Sequence, residues 1–256
     1  MPNLKCEGHE EAGTKMALFL CQLKEEKEVV IKCSDTDILV IVLANMEKLP
    51  ASLKVWTLFG VGNNRRYINM NKVCDVLGSK KCSGLPAFHA LTGCDFNPAF
   101  YRKGKRKPWE LYSAKEDFQE AFIALQSPDS DNYESAFTTL EDFVCKMYAT
   151  AENGLRKCSN VDEARLRIFT QTYTNKIEPT DEFKQKLMNF DACILPPCKR
   201  ELQQQLLRAA YIGHMWKNSF SPVPNDSLNV EEFGWKLENK SYSFRWFEGD
   251  DIPPNV

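Results

Sequence analysis

Four short stretches hold the side chains best able to do chemistry. Glu10 and Glu11 follow His9, Asp35 and Asp37 flank Thr36, and Asp95 follows Gly93-Cys94. A basic run, Arg102-Lys103-Gly104-Lys105-Arg106-Lys107, comes soon after. Carboxylates gathered in one place repel one another unless a hard cation neutralises them. Mg²⁺ or Mn²⁺, with oxygen ligands and retained waters, suits such a group. Two such ions about 4 Å apart are the usual apparatus of phosphodiester hydrolysis, activating water and stabilising the attacking and leaving oxygens. The neighbouring cations could grip phosphates, with Phe100, Tyr101 and Trp109 at hand for base stacking.

Each stretch taken singly also has a plain structural reading. Acidic residues favour helix starts through the helix dipole, which accounts for Glu10 and Glu11. Asp35, Asp37 and Asp95 are ordinary cap or turn residues. The basic run reads equally as a solvated loop or a nuclear-import patch. Other chemistries find less. His9, His89 and His214 form no catalytic set with a nucleophile, and His89 on an apolar helix reads as a hydrogen-bonded core residue. Gly60-Val61-Gly62 lacks the rest of any phosphate-binding loop. A zinc site from Cys82, His89 and Cys94 lacks the paired spacing of structural zinc centres.

The elements that must position these groups alternate in the first half. His9 to Lys27 reads as a helix with Met16, Leu20 and Leu23 on one stripe, so that Glu10 and Glu11 fall in its first turn. Val29-Val30-Ile31 suits a strand buried on both faces, ending at Asp35 and Asp37. Ile38 to Asn45 reads as a helix, or as a strand from its β-branched residues. Strands are expected at 53–59 and 66–70, and helices at 71–77 and 85–92, the latter closed by Gly93. Strand–helix alternation implies a parallel α/β sheet, with functional groups beyond the carboxyl ends of its strands. The second half is helical. Phe118, Ala121, Phe122 and Leu125 form one stripe, and further helices are expected near 134–149, 161–173 and 198–216. This divides the chain into an α/β region at 1–126, a polar linker at 127–132, a helical region at 133–220 and an irregular segment at 221–256.

The order of the acidic motifs resembles one nuclease superfamily. His-Glu-Glu-Ala at 9–12, Ser-Asp-Thr-Asp at 34–37 and Leu-Thr-Gly-Cys-Asp at 91–95 look like motifs of the flap-endonuclease-like branch of the PIN-domain nucleases. More closely, the chain resembles a family of animal proteins associated with mobile elements. The matching stretches are His9 to Thr14, Ser34 to Leu39 and Thr92 to Lys107, with Leu195-Pro196-Pro197 and Gly234-Trp235 later. The resemblance implies a PIN-like parallel sheet lacking its first strand, followed by a mostly helical region. It implies metal-dependent, nuclease-like phosphodiester hydrolysis, or a non-catalytic remnant that binds nucleic acid or protein. Glu11, Asp35, Asp37 and Asp95 would be catalytic and would hold Mg²⁺ or Mn²⁺, with Glu10 assisting. Arg102, Lys103, Lys105, Arg106 and Lys107 would hold nucleic acid, and a protein partner could complete the sheet. Gly13 stands where the family pattern has an acidic residue.

Composition limits the alternatives. The 256 residues are 43% hydrophobic, enough to fill a core and too apolar for a disordered chain. Lys and Arg total 33 against 35 Asp and Glu, so any affinity for nucleic acid must be local. The longest apolar run, Ile38 to Ala44, is far short of a membrane span, and residues 1–15 lack a secretory apolar stretch. The ten cysteines form no Cys-x-x-Cys pair, and several sit in apolar patterns as small hydrophobes. An intracellular protein, nuclear or cytoplasmic and without membrane contact, is the expectation.

Overall fold

A computed structural model describes residues 8–9, 11–23, 28–128, 131–150, 153–174, 190–224 and 228–249. Glu10 lies outside the described residues. The fold is mixed α/β and mostly helical.

Helix α1 (Ala12–Cys21) leads to strand β1 (Glu28–Cys33), helix α2 (Thr36–Asn45) and strand β2 (Lys54–Phe59). β1 and β2 pair in parallel from Glu28↔Lys54 to Cys33↔Phe59, with α2 as the crossover helix. Strand β3 (Arg66–Asn69) then pairs antiparallel with β2, so the three-stranded sheet, in order β1-β2-β3, is mixed rather than parallel. The cause is loop length. Only six residues separate β2 from β3, and a parallel return needs a crossover of a dozen or more.

Among the described residues β1 is an edge strand. It buries Ile31 but leaves Val30 half exposed, so the expectation of burial on both faces fails. α2 resolves the ambiguity of its β-branched run in favour of helix. Asp35 caps it by accepting a hydrogen bond from the Asp37 amide at 3.0 Å. Ile38, Val40, Ile41, Val42 and Leu43 are then buried on nearly every side, so tertiary burial outweighs propensity. α1 starts later than the periodicity implied, with Glu11 as its N-cap and not inside its first turn. Its buried face carries Gly13, Thr14, Ala17, Leu18 and Leu20. Gly13 is a close-contact position, because a Cβ there would lie 2.8 Å from Ile41 Cδ1.

Helices α3 (Met70–Leu77) and α4 (Ser79–Leu91) follow, α4 packing against α2. The basic run leads into helix α5 (Arg106–Ala114), which periodicity did not reveal. Helices α6 (Glu116–Leu125) and α7 (Tyr133–Tyr148) pack against each other across the polar segment 127–132. Helix α8 (Val161–Thr174) precedes the long helix α9 (Lys199–Lys217), which lies along α4 and also touches α2, α6 and α7. One hydrophobic core therefore runs from Ile31 and Val55 through Phe88, Phe122 and Phe143 to Leu206 and Trp216. The C-terminal segment is not wholly irregular: strands β4 (Trp235–Glu238) and β5 (Ser241–Phe244) form a hairpin. Arg208 of α9 pins it, donating to the carbonyls of Gly234 (3.1 Å) and Arg245 (2.8 Å) beneath the rings of Phe244 and Trp246.

Candidate acidic site

The described acidic residues of the three sequence motifs lie within electrostatic reach of Glu11 near the carboxyl end of β1. Asp37, in the first turn of α2, is the deepest at 7% exposure. Its Oδ1 lies 2.9 Å from Nε2 of His89, itself 8% exposed on α4. Glu11, half-buried at the head of α1, accepts a 2.8 Å hydrogen bond at Oε2 from Nε1 of Trp216. Trp216 is fully buried on α9, with its ring 6.0 Å from that of His89. Asn45 holds this end of α9, donating to the Trp216 carbonyl at 2.8 Å. Asp35 and Asp95 are exposed and form the rim.

Asp95 is positioned by a tight turn. Gly93 adopts φ +115, and a Cβ there would fall 2.5 Å from the Ala99 Cβ. Cys94 and Asn97 then exchange backbone hydrogen bonds of 3.0 and 3.3 Å. The buried Asn97 side chain donates to the Ala90 and Gln205 carbonyls and accepts from Arg208 Nε at 3.0 Å. One ridge of α9 thus supports both the C-terminal hairpin and the turn bearing Asp95.

Electrostatics links the four carboxylates. Burial pushes the Glu11 carboxyl above the usual carboxylate range, and the Trp216 bond pulls against this. Asp37, Asp35 and Asp95 each raise it further, which places all three within electrostatic reach of Glu11. Burial also pushes the Cys94 thiol up to about 11, which leaves little thiolate at neutral pH for nucleophilic attack. All four carboxylates offer hard oxygen donors of the kind Mg²⁺ or Mn²⁺ takes, so the donor chemistry fits. The spacing is looser. Among the described residues, no three His, Cys, Asp or Glu side chains are grouped to hold a metal ion. Each of three carboxylates already has a structural partner: Glu11 is tied to α9 through Trp216, Asp37 lies against His89 of α4, and Asp35 caps α2.

The basic run divides. Lys105 turns inward, its ammonium donating to the carbonyls of Gly93 (2.6 Å) and His89 (3.1 Å) and approaching Thr92 Oγ1 at 3.3 Å. It closes the C-terminus of α4, where the helix dipole favours a cation, and burial brings it down to about 8. Arg106 pairs with Glu110 at 3.1 Å. Lys103 sits 4.3 Å over the Tyr148 ring, and Lys107 donates to the Ala149 carbonyl.

Sequence reasoning missed Trp216 and the pairing of His89 with Asp37. His89 stands six residues before Asp95 on the helix leading to it, a usable signal of proximity. Nothing in the sequence joins Trp216 to Glu11. His214, by contrast, is a hydrogen-bonded packing residue, with Nδ1 3.0 Å from the Gln126 carbonyl. No described helix is long and apolar enough to cross a membrane. No protein-family model matches the chain, and neither does any curated protein or solved structure.

Proposed function

We propose that this chain carries a nuclease-like acidic site for metal-dependent phosphodiester hydrolysis. The observation that supports it is that Asp35, Asp37 and Asp95, drawn from two other stretches, lie within electrostatic reach of Glu11. Glu11, Asp37 and the two rim aspartates would hold Mg²⁺ or Mn²⁺, which supplies an activated water and charge stabilisation when bound. Trp216 and His89 would orient the inner pair of carboxylates, each bond engaging one carboxylate oxygen. The test is cleavage of labelled single-stranded and duplex DNA and RNA in Mg²⁺ or Mn²⁺, compared with Asp35→Asn/Asp37→Asn. Loss of cleavage in the variant supports the reading, and unchanged cleavage removes these residues from the mechanism.

Gly13 favours a second reading. The position that carries an acid in the resembling family is Gly13 here, and a Cβ there would lie 2.8 Å from Ile41 Cδ1, so the site has no ligand at this position. A non-catalytic descendant that binds nucleic acid or a protein fits that exchange. For a protein partner, the edge of β1, which pairs with no other strand among the described residues, offers backbone groups beside the half-exposed Val30. This reading predicts binding without metal-dependent turnover.

A further inference from the structure

The outward cations of the basic loop do not stand alone. Phe100 is buried with its ring edge-on to Tyr148, 6.3 Å between centroids, which anchors the loop against the end of α7. Lys103 covers the Tyr148 ring and Lys107 donates to the next carbonyl, that of Ala149. The chain then turns through Asn153, whose Oδ1 accepts from the amides of Thr150 (2.8 Å) and Leu155 (3.3 Å). Buried Leu155 begins a short 3₁₀ turn (Leu155–Lys157) that leaves Arg156 and Lys157 exposed. Arg156 and Lys103 both lie near enough to Lys107 to depress its ammonium, beyond the effect of burial. Like charges are crowded here. Among the described residues Arg102, Lys103, Lys107, Arg156 and Lys157 form no ion pair with a carboxylate; the one nearby pair is Arg106 with Glu110. Beside them Tyr101 is 45% exposed, with the Arg102 guanidinium 4.9 Å over its ring.

We propose that loop 101–107 and turn 155–157 form one surface for single-stranded nucleic acid, with Lys103, Lys107, Arg156 and Lys157 on the phosphates and Tyr101 under a base. Crowded cations that form no ion pair with a carboxylate among the described residues, with Glu110 offsetting only part of the repulsion at Lys107, fit a ligand that brings its own evenly spaced negative charges. The half-exposed Tyr101 ring, with Arg102 over one face, selects a single strand, because bases in a duplex are already stacked. Lys105 reaches from the same loop to the carbonyls beside Asp95, so the surface begins at the acidic site and leads away from it. The inference rests on the nucleic-acid part of the functional reading and extends it to Arg156 and Lys157, which lie about fifty residues from the basic run.

The test is fluorescence anisotropy of labelled oligothymidylate with the full chain, in EDTA and across a salt series. Working in chelator makes the result independent of the acidic site, so loss of metal binding and loss of this surface remain distinguishable. Arg156→Glu/Lys157→Glu, checked for folding by circular dichroism, should bind at least about tenfold more weakly. Its plot of log affinity against log salt should flatten by about 1.4, at roughly 0.7 per lost phosphate contact. Tyr101→Ala should weaken binding about fivefold or more. A wild-type slope in the double variant, alongside weakening in Arg102→Glu/Lys103→Glu, would confine binding to the loop and overturn the proposal. Equal affinity for a duplex of the same length would overturn its single-strand part. Binding to phosphatidylserine vesicles with none to oligonucleotide would overturn it and the nucleic-acid reading together.

Discussion

Separating Trp216 from Glu11 should weaken the fold in a way that depends on charge. The bond is 2.8 Å long, its donor ring is fully buried, and its acceptor is a carboxylate that burial and three aspartates already push toward protonation. A hydrogen bond to a charged group contributes roughly 1.5–3 kcal/mol, and a neutral one about 0.5–1.5. Trp216→Phe alone also loses packing, so the informative quantity is the coupling in a cycle with Glu11→Ala. Glu11 makes no side-chain cap bond to α1, so its truncation adds no capping loss. Urea unfolding of the four proteins at neutral pH should give a coupling of roughly 1.5–3 kcal/mol, falling to about half when Glu11 is protonated at acidic pH. The sign follows from linkage. A carboxyl whose folded pKa is raised contributes stability at low pH that is lost as pH rises through that pKa. Removing the Trp216 bond raises it further, because that bond favours the ionised carboxylate. Coupling below about 0.5 kcal/mol at neutral pH, or coupling that grows on acidification, would refute the reasoning.

Three other outcomes follow from the packing. Gly13→Ala drives a methyl into Ile41 Cδ1 and should destabilise by about 1 kcal/mol net of its helix-propensity gain, with Ile41→Val relieving most of it in chemical denaturation. Lys105 is held near 8 against an ordinary 10.5, so between those values the unfolded chain binds the extra proton. Wild-type stability relative to Lys105→Met should therefore rise as pH goes from 8 toward 10.5, and a flat difference contradicts the burial. Arg208→Ala should cost about 2–4 kcal/mol through lost bonds and ring contacts, and should open 235–244 to limited proteolysis. Unchanged cleavage there would mean that the hairpin holds without Arg208.

Much of the chain was legible because burial follows period. The stripes at 118–125, 134–149 and 198–216 became α6, α7 and α9 within a residue or two. The strand ending before Asp35, and the helix after it, could be read because Asp35 is a cap and the apolar run follows at once. Three features were hidden, the first for a local reason and the other two because they depend on contacts from another element. β3 runs antiparallel, a matter of the length and shape of the loop at 60–65. The hairpin at 235–244 has little alternation, and holds through the Arg208 side chain of another element. Lys105 reads as a phosphate ligand in a basic run, yet its ammonium closes α4, because helix C-terminal carbonyls lie within its reach. The acidic site shows the same division. Its carboxylates stood out by type and order, whereas the two side chains that hold them, His89 and Trp216, are joined to them only by the folded chain.

The most direct test of the acidic site is calorimetric titration of the purified chain with Mn²⁺, repeated on Asp35→Asn/Asp37→Asn. The account predicts saturable binding that strengthens as pH rises through the elevated Glu11 pKa and is lost in the variant. Absence of binding in a folded sample, or equal binding by the variant, would contradict it.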